Sequence, residues 1–288
     1  MKILITGAGG FIGYHLAKKL ASNNELFLVD IIPSTKIANS HWICLDLSTD
    51  FSFKDLPNGI DAIIHLAQSK YYRDFPNSAI DIFKVNSLST IKLLEFAREK
   101  SVQKFLFAST ASIYSGKRKL FKEDDYIPAP KNFYALSKYY AELLVSSYSS
   151  YINTIIFRFI TVYGPGQKNM LIPNLINKII KDEKIQIYGQ KGICLNPIFI
   201  DDANEVIERS LALKQSSVIN AGGVENLSIL DMSETIGDVL GIKPQFEFLP
   251  DRNDIDLIGD ISHMERLLHF TPKISFKEGV KKTLEIKD

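Results

Sequence analysis

From residue 2 the chain reads Lys2-Ile3-Leu4-Ile5-Thr6-Gly7-Ala8-Gly9-Gly10-Phe11-Ile12-Gly13. A short apolar strand runs into a glycine-rich turn, and the turn opens a helical pattern. Glycines at 7, 10 and 13 permit the tight turn, let backbone amides approach a pyrophosphate, and allow close packing of strand on helix. The helix N-terminus adds the positive end of its dipole. The next β-rich run ends at Asp30, close to the interval at which a carboxylate accepts hydrogen bonds from an adenosine ribose. Strand, helix and acid in register predict a dinucleotide site built from Gly7, Gly10, Phe11, Ile12, Gly13 and Asp30. A carboxylate at position 30 repels a 2′-phosphate, which favours NAD over NADP.

The first half keeps alternating strand and helix patterns. Strands are predicted at 2–6, 25–30, 62–66, 104–109 and 154–159, with helices at 13–22, 87–100 and 134–149. Such alternation means βαβ units and a parallel sheet. Ile3-Leu4-Ile5 and Ile63-Ile64 are apolar on both faces, as a sheet covered by helices on each side requires. The fold class is therefore α/β, a doubly wound parallel sheet. Beyond Tyr163-Gly164-Pro165-Gly166 the rhythm loosens into a helix at 172–181, a strand at 185–188, an extended 197–200, a helix at 229–240 and a last helix at 277–285. This reads as a smaller, irregular α/β substrate-binding domain of 164–195 plus 223–288, against a nucleotide-binding domain of 1–163 plus 196–222.

Charge excludes other roles. With 34 basic and 33 acidic side chains in 288 residues, the net charge is +1. Bulk attraction to nucleic acid or to an anionic membrane has no basis there. Cys44 and Cys194 form no CxxC pair, and the five histidines show no metal spacing, which argues against a disulfide framework or a zinc site. There is no run of about 18 apolar residues and no signal-peptide pattern. The expectation is a cytoplasmic protein. Lys36 and the cluster Lys117-Arg118-Lys119 read as surface.

Tyr134-Ala135-Leu136-Ser137-Lys138 puts a phenol and an ammonium four residues apart on one helical face. A phenol with a reference pKa of about 10 needs a nearby cation to exchange protons near neutrality, and Lys138 supplies one. The preceding strand ends in hydroxyls, Ser109-Thr110-Ala111-Ser112-Ile113-Tyr114. Any of the three can orient a substrate oxygen or serve only as a cap.

The TGxxGxxG spacing together with YxxxK resembles the extended short-chain dehydrogenase/reductase superfamily. Arg158-Phe159-Ile160-Thr161-Val162-Tyr163-Gly164-Pro165, Pro197-Ile198-Phe199-Ile200-Asp201-Asp202 and Gly259-Asp260 are similar to elements of its nucleotide-sugar epimerase/dehydratase branch. The resemblance covers nearly the whole chain. It implies a Rossmann fold, a catalytic triad of Thr110, Tyr134 and Lys138, and adenine contacts from Asp46 and Leu47. It also implies that the backbone of Leu66 and Ala67, after His65, lines the cofactor groove, with His65 itself a packing residue. Thr161 and Arg252 are the implied substrate contacts, and a nucleotide-diphosphate sugar the implied partner. Helices 87–100 and 134–149 pair into a homodimer in the family, and Tyr139, Tyr140, Leu143 and Leu144 supply an apolar face for it.

Two departures sharpen the expectation. Leu195-Asn196 stands where the branch carries Arg-Asp, and a leucine cannot neutralise a diphosphate. Ala111-Ser112 stands where 4,6-dehydratases carry an Asp-Glu pair for eliminating water. The resemblance then implies C4 epimerisation with tightly held NAD. A 4-ketoreductase using the same triad is the alternative enzyme, and a dinucleotide-sensing protein without turnover is the alternative outside catalysis.

Overall fold

β1 (Lys2–Thr6) forms where Ile3, Leu4 and Ile5 are all fully buried, which demands cover on both faces of a sheet. It is followed by α1 (Phe11–Leu20), β2 (Glu25–Asp30), β3 (Ser40–Cys44), β4 (Ala62–His65), α2 (Ala79–Phe83), α3 (Ser89–Glu99), β5 (Lys104–Thr110), α4 (Phe133–Ser147) and β6 (Asn153–Phe159). The chain continues through β7 (Val162–Tyr163), α5 (Leu171–Ile180), β8 (Ile185–Tyr188), β9 (Cys194–Leu195), β10 (Ile198–Phe199), α6 (Ile200–Ser210) and β11 (Ser217–Ala221). It ends with β12 (Leu227–Ser228), α7 (Ile229–Leu240), β13 (Phe246–Leu249), α8 (Ser262–Leu268) and α9 (Phe276–Glu285). The structure is a computed structural model that describes residues 1–32, 37–115, 120–252 and 254–285. Lys36 and Lys117-Arg118-Lys119 lie outside the described residues.

Seven strands form one sheet in the order β11-β6-β5-β4-β1-β2-β3. β1 pairs in parallel with β2 and β4, so that Ile5 lies between Leu28 and Ile64. β2–β3 and β4–β5 are parallel as well. The sheet grows from β1 in both directions, and a doubly wound sheet of this kind binds ligands outside the carboxyl ends of the strands at that switch point. This is the expected Rossmann architecture. On one face Leu4, Ile63, Phe105 and Phe107 pack in a single apolar cluster with Leu93, Leu94, Phe96 and Ala97 of α3 and with Ala141 and Val145 of α4.

The contacts divide the chain into two units. One holds Met1–Ile113, Ile127–Arg158 and Asn204–Ile219; the other holds Tyr114–Tyr126, Phe159–Ala203 and the chain from Asn220 onward.

Local chemistry explains where element ends differ from expectation. α1 starts at Phe11 rather than Gly13, because Gly10 takes the N-cap position and the turn closes with Gly10 N–H donating to Gly7 O at 3.1 Å. The expected helix 87–100 begins inside a π-helical turn, Lys84–Leu88, that joins α2 to α3. α4 starts at Phe133, where the Asn132 side chain accepts from Ala135 N–H at 3.2 Å. In the second unit α7 keeps its expected bounds, fixed by a Ser228/Asp231 capping box at one end and a left-handed Gly241 at the other. α6 takes in Ile200, the last residue of the expected extended segment, and Asp201 and Asp202 lie in its first turn.

Candidate active site

The carboxyl ends of β1, β2, β4 and β5 bring the expected cofactor and catalytic residues of the first unit to one edge of the sheet. Gly7 has φ +69°, and a Cβ there would lie 2.7 Å from Ala67 N and 2.8 Å from Ala67 Cα. Ala67 belongs to the segment expected to line the groove, so the glycine turn and the Leu66-Ala67 backbone are packed on each other. Leu66 N–H donates to Thr6 O at 3.1 Å, extending the β1–β4 ladder by one residue. A Cβ on Gly13 would meet the Gly7 carbonyl and lie 2.8 Å from Ala8 Cα, so only glycine lets α1 start this close to β1. No side chain caps the N-terminus of α1. Its first amides are orphan donors of the kind that receive a pyrophosphate.

Asp30 ends β2 with its carboxylate on the same turn. Oδ2 accepts from Gly9 N–H at 2.9 Å and Oδ1 from Ile31 N–H at 2.8 Å. The acid is thereby held beside the glycine turn, where the ribose of a dinucleotide would lie. A cradle that a Cβ would fill, an uncapped helix start and a fixed carboxylate fit NAD. Asp46 accepts from Ser48 N–H at 2.8 Å in a turn after β3, and Leu47 is buried in the apolar cluster.

Thr110 is the last residue of β5 and is buried. Its Oγ1 accepts from Ser112 N–H at 3.1 Å, and its hydroxyl is near enough to the Tyr134 phenol to favour the ionised form of that group. Ser109 Oγ, one residue earlier, is buried without a hydrogen-bond partner among the described residues. Of the three hydroxyls considered, Thr110 is the one whose influence reaches the Tyr134 phenol. Burial raises the Tyr134 phenol to about 12, the nearby Thr110 hydroxyl opposes the rise, and Tyr72 adds to it. The Tyr134 hydroxyl donates to Gln68 Oε1 at 3.0 Å, and the Tyr72 ring centre lies 5.1 Å from its own. Neither Gln68 nor Tyr72 carries a sequence signal beyond following the Leu66-Ala67 segment.

Lys138 sits one helical turn after Tyr134 and is 2% exposed. Its Nζ donates to Ala108 O at 2.8 Å and lies 4.9 Å from the Phe107 ring centre. Burial lowers this ammonium to about 7, against the opposing pull of Glu142. Glu142 is itself buried and paired with Arg158 of β6.

His65 is fully buried, as a packing residue should be. Thr90 Oγ1 donates to Asn86 O at 2.9 Å, so it must accept from His65 Nε2–H at 3.0 Å. The Nδ1 of that tautomer then accepts from Thr6 Oγ1 at 2.6 Å. Both ring nitrogens are satisfied by a neutral imidazole, and burial holds His65 down at about 3, with the Lys138 charge contributing.

Thr161 and Arg252 belong to the second unit. Thr161 adopts φ +49°, a left-handed conformation uncommon for a β-branched side chain. Ile198 N–H donates to its carbonyl at 3.1 Å. The Arg252 guanidinium lies 3.4 Å over the Tyr188 ring and pairs with Asp254 at 3.0 Å. Leu195 is 3% exposed in β9, paired with Leu227 and bridged to Leu257. Asn196 donates to Gly223 O and Gly259 O and accepts from Gly259 N–H, so its amide is spent on tying three segments together.

Among the described residues no cluster of His, Cys, Asp and Glu can hold a metal ion, and no helix is long and apolar enough to cross a membrane.

Comparison with known proteins agrees with this geometry. A UDP-glucuronate 4-epimerase of Thermodesulfobacterium geofontis is 31% identical, over 98% of this chain and 94% of its own length. Among solved structures, a tyrosine-to-phenylalanine variant of UDP-glucuronic acid 4-epimerase from Bacillus cereus, in complex with UDP-4-deoxy-4-fluoro-glucuronic acid and NAD, superposes with a TM-score of 0.88. It is 28% identical, with 98% of each chain covered. A UDP-N-acetylglucosamine 4-epimerase from Methanobrevibacter ruminantium, in complex with UDP-N-acetylmuramic acid, has a TM-score of 0.88 at 25% identity, covering 99% of this chain and 97% of the other. Residues 3–222 match the NAD dependent epimerase/dehydratase family, and with the glycine turn, Asp30 and the Tyr134–Lys138 helix in place the chain belongs to that family.

Proposed function

We propose that this protein is an NAD-dependent epimerase acting at C4 of a UDP-sugar, with UDP-glucuronate the first substrate to test. The observation that carries the reading is the Tyr134 phenol one helical turn from a buried Lys138 whose Nζ donates to β5, the strand that ends at Thr110, together with a glycine turn that fits NAD. Relatives named as UDP-sugar 4-epimerases support it over nearly the full chain.

In this reading Gly7, Gly10, Phe11, Ile12 and Gly13 present backbone amides to the pyrophosphate. Asp30 takes the adenosine ribose, and Asp46 and Leu47 the adenine. When bound, NAD supplies a reversible hydride acceptor, so that C4 can pass through a ketone and be reduced on either face. Thr110 orients the C4 oxygen, and Tyr134 removes and returns its proton. Tyr134 must release its hydroxyl from Gln68 to do so. Lys138 provides the positive charge that makes the phenolate accessible and binds the nicotinamide ribose. Ala111 and Ser112 after Thr110 supply no carboxylate for elimination, which supports epimerisation over dehydration. Arg252 is the cation proposed for the substrate diphosphate, since Leu195 contributes none. Thr161 is the proposed sugar contact of the second unit.

The same reading includes a cytoplasmic homodimer. Ile80, Phe83 and Leu88 before α3, and Tyr140 and Leu143 on α4, are apolar side chains at least 42% exposed. Faces of this kind mark association surfaces. Sedimentation at micromolar concentration is expected to give a dimer, and a monomer would remove this part of the proposal. For the activity, purified protein with UDP-glucuronate and catalytic NAD is expected to form the 4-epimer without net NADH. Consumption of NADH with a 4-keto sugar nucleotide, and no epimer formed, would select the ketoreductase instead.

A further inference from the structure

The active-site helix carries a second buried charge that the reaction itself does not use. Glu142 lies on α4 one turn beyond Lys138, and both are almost fully buried. The Arg158 guanidinium grips Glu142 from β6: Nη2 reaches Oε2 at 2.9 Å, and Nε reaches Oε2 at 3.2 Å and Oε1 at 3.3 Å. Side-chain exposures are 6% for Arg158 and 4% for Glu142. A buried ion pair is poor value for stability, because desolvating both ions cancels much of their attraction. Its place on the helix, one turn from the active-site ammonium, is the better explanation.

We infer that Glu142, held by Arg158, is the buried counter-charge that keeps Lys138 an ammonium within the active site. Among the described residues Glu142 is the acid whose charge reaches Lys138. Its hydrogen bond goes to a neutral carbonyl, Ala108 O, and it lies over the neutral Phe107 ring, both on β5. From β4 it is faced by His65, which the Thr6 and Thr90 hydroxyls keep neutral. On α4 itself the ionisable neighbours are Tyr134, a neutral phenol, and Glu142. From β6 comes Arg158, whose charge is directed at Glu142. Burial alone would strip the proton from Lys138, and Glu142 is the acid whose charge opposes that loss. Arg158 holds the carboxylate in one rotamer by contacting both of its oxygens, so the charge of Glu142 has a fixed place one turn from Lys138. The pair is thus a positioning and electrostatic element; neither member touches the reacting atoms.

The inference rests on the reading of Tyr134 and Lys138 as the proton-transfer pair, and its test separates the two. Protein carrying ¹³C at lysine Cε is titrated by NMR in the cofactor-free state, with the Lys138 signal assigned by its loss in Lys138→Met. The native signal is expected to titrate near neutrality. In Glu142→Gln, which keeps the shape and one acceptor for Arg158, the midpoint is expected to fall by about one unit or more. Should the stranded Arg158 cation prevent folding, Glu142→Leu with Arg158→Leu removes both charges and leaves an apolar contact. A merely structural pair would be replaced by those leucines, whereas the loss of the counter-charge would persist as a lowered midpoint. An unchanged midpoint in the double variant overturns the inference, as does a shift confined to the single variant, which the unpaired Arg158 would explain. Absence of epimerase activity in the native enzyme would instead sink the functional reading and leave the coupling of Glu142 to Lys138 intact.

Discussion

His65 gives this protein a built-in acid sensitivity whose size follows from its partners. The neutral ring donates from Nε2 to Thr90 and accepts at Nδ1 from Thr6. Protonation would turn Nδ1 into a donor facing a hydroxyl that already accepts from Ala67 N–H, in a fully buried site and near the Lys138 charge. The native imidazole therefore resists protonation down to about 3, while in the unfolded chain it titrates at the ordinary value of 6.5. Between these values the unfolded state binds a proton that the native state refuses. Unfolding free energy then falls as pH falls, by about 1.4 kcal/mol per unit once well below 6.5. From about pH 7.5 to about pH 5 the loss is about 2 kcal/mol, and any native value below about 4 gives the same figure. Urea unfolding of native protein and of His65→Gln, each at the two pH values, isolates this contribution. The variant is less stable at neutral pH but is expected to lose about 2 kcal/mol less on acidification. Equal acid sensitivity in both proteins would refute the neutral, doubly hydrogen-bonded ring.

Other substitutions test the cofactor and catalytic readings. Gly13→Ala drives a methyl into the Gly7 carbonyl and against Ala8 Cα, both backbone; overpacking of this kind costs about 1–3 kcal/mol, so NAD affinity measured by calorimetry is expected to fall by roughly tenfold or more. Asp30→Asn removes the charge that repels a 2′-phosphate while keeping an acceptor for Gly9 N–H, and the ratio of NADP to NAD affinity is expected to rise; an unchanged ratio would remove Asp30 as the discriminating group. Tyr134→Phe deletes the phenol that donates to Gln68, and a loss of about 10²–10⁴ in turnover is expected with NAD binding retained. Full activity in that variant would leave only a dinucleotide-binding role.

Sequence legibility followed the range of the interactions. The β1–turn–α1 unit was readable because its constraints are local: the glycines that permit the turn lie within seven residues of one another. The bounds of β2, β8 and α7 coincide with the expected ones, each marked by an apolar pattern ending in a polar or glycine signal. The π-helical turn at Lys84–Leu88 escaped notice because its residues keep a helical pattern, and the extra residue is accommodated by the backbone alone. The role of His65 as a packing residue was legible, but its partners, 59 residues before it and 25 after, were not. Glu142 has a sequence signal, an acid on the buried side of a helix at the interval that reaches Lys138, but its partner Arg158 is fixed only by the packing of β6 on α4. Leu195 was visible as a departure from the family pattern, and the structure gives its physical content: a position sealed in a β-bridge has no room for an exposed cation.

The most direct test of C4 epimerisation is the fate of the hydrogen at that carbon. UDP-glucuronate carrying deuterium at C4 is incubated with the enzyme and unlabelled NAD, and the 4-epimer is isolated and examined by NMR. Retention of deuterium at C4 of the inverted product, with no accumulation of reduced cofactor, is the expected result, because one and the same hydrogen leaves and returns within a single active site. Loss of the label to solvent, or inversion without involvement of the C4 hydrogen, would contradict the proposed chemistry of Thr110, Tyr134 and Lys138.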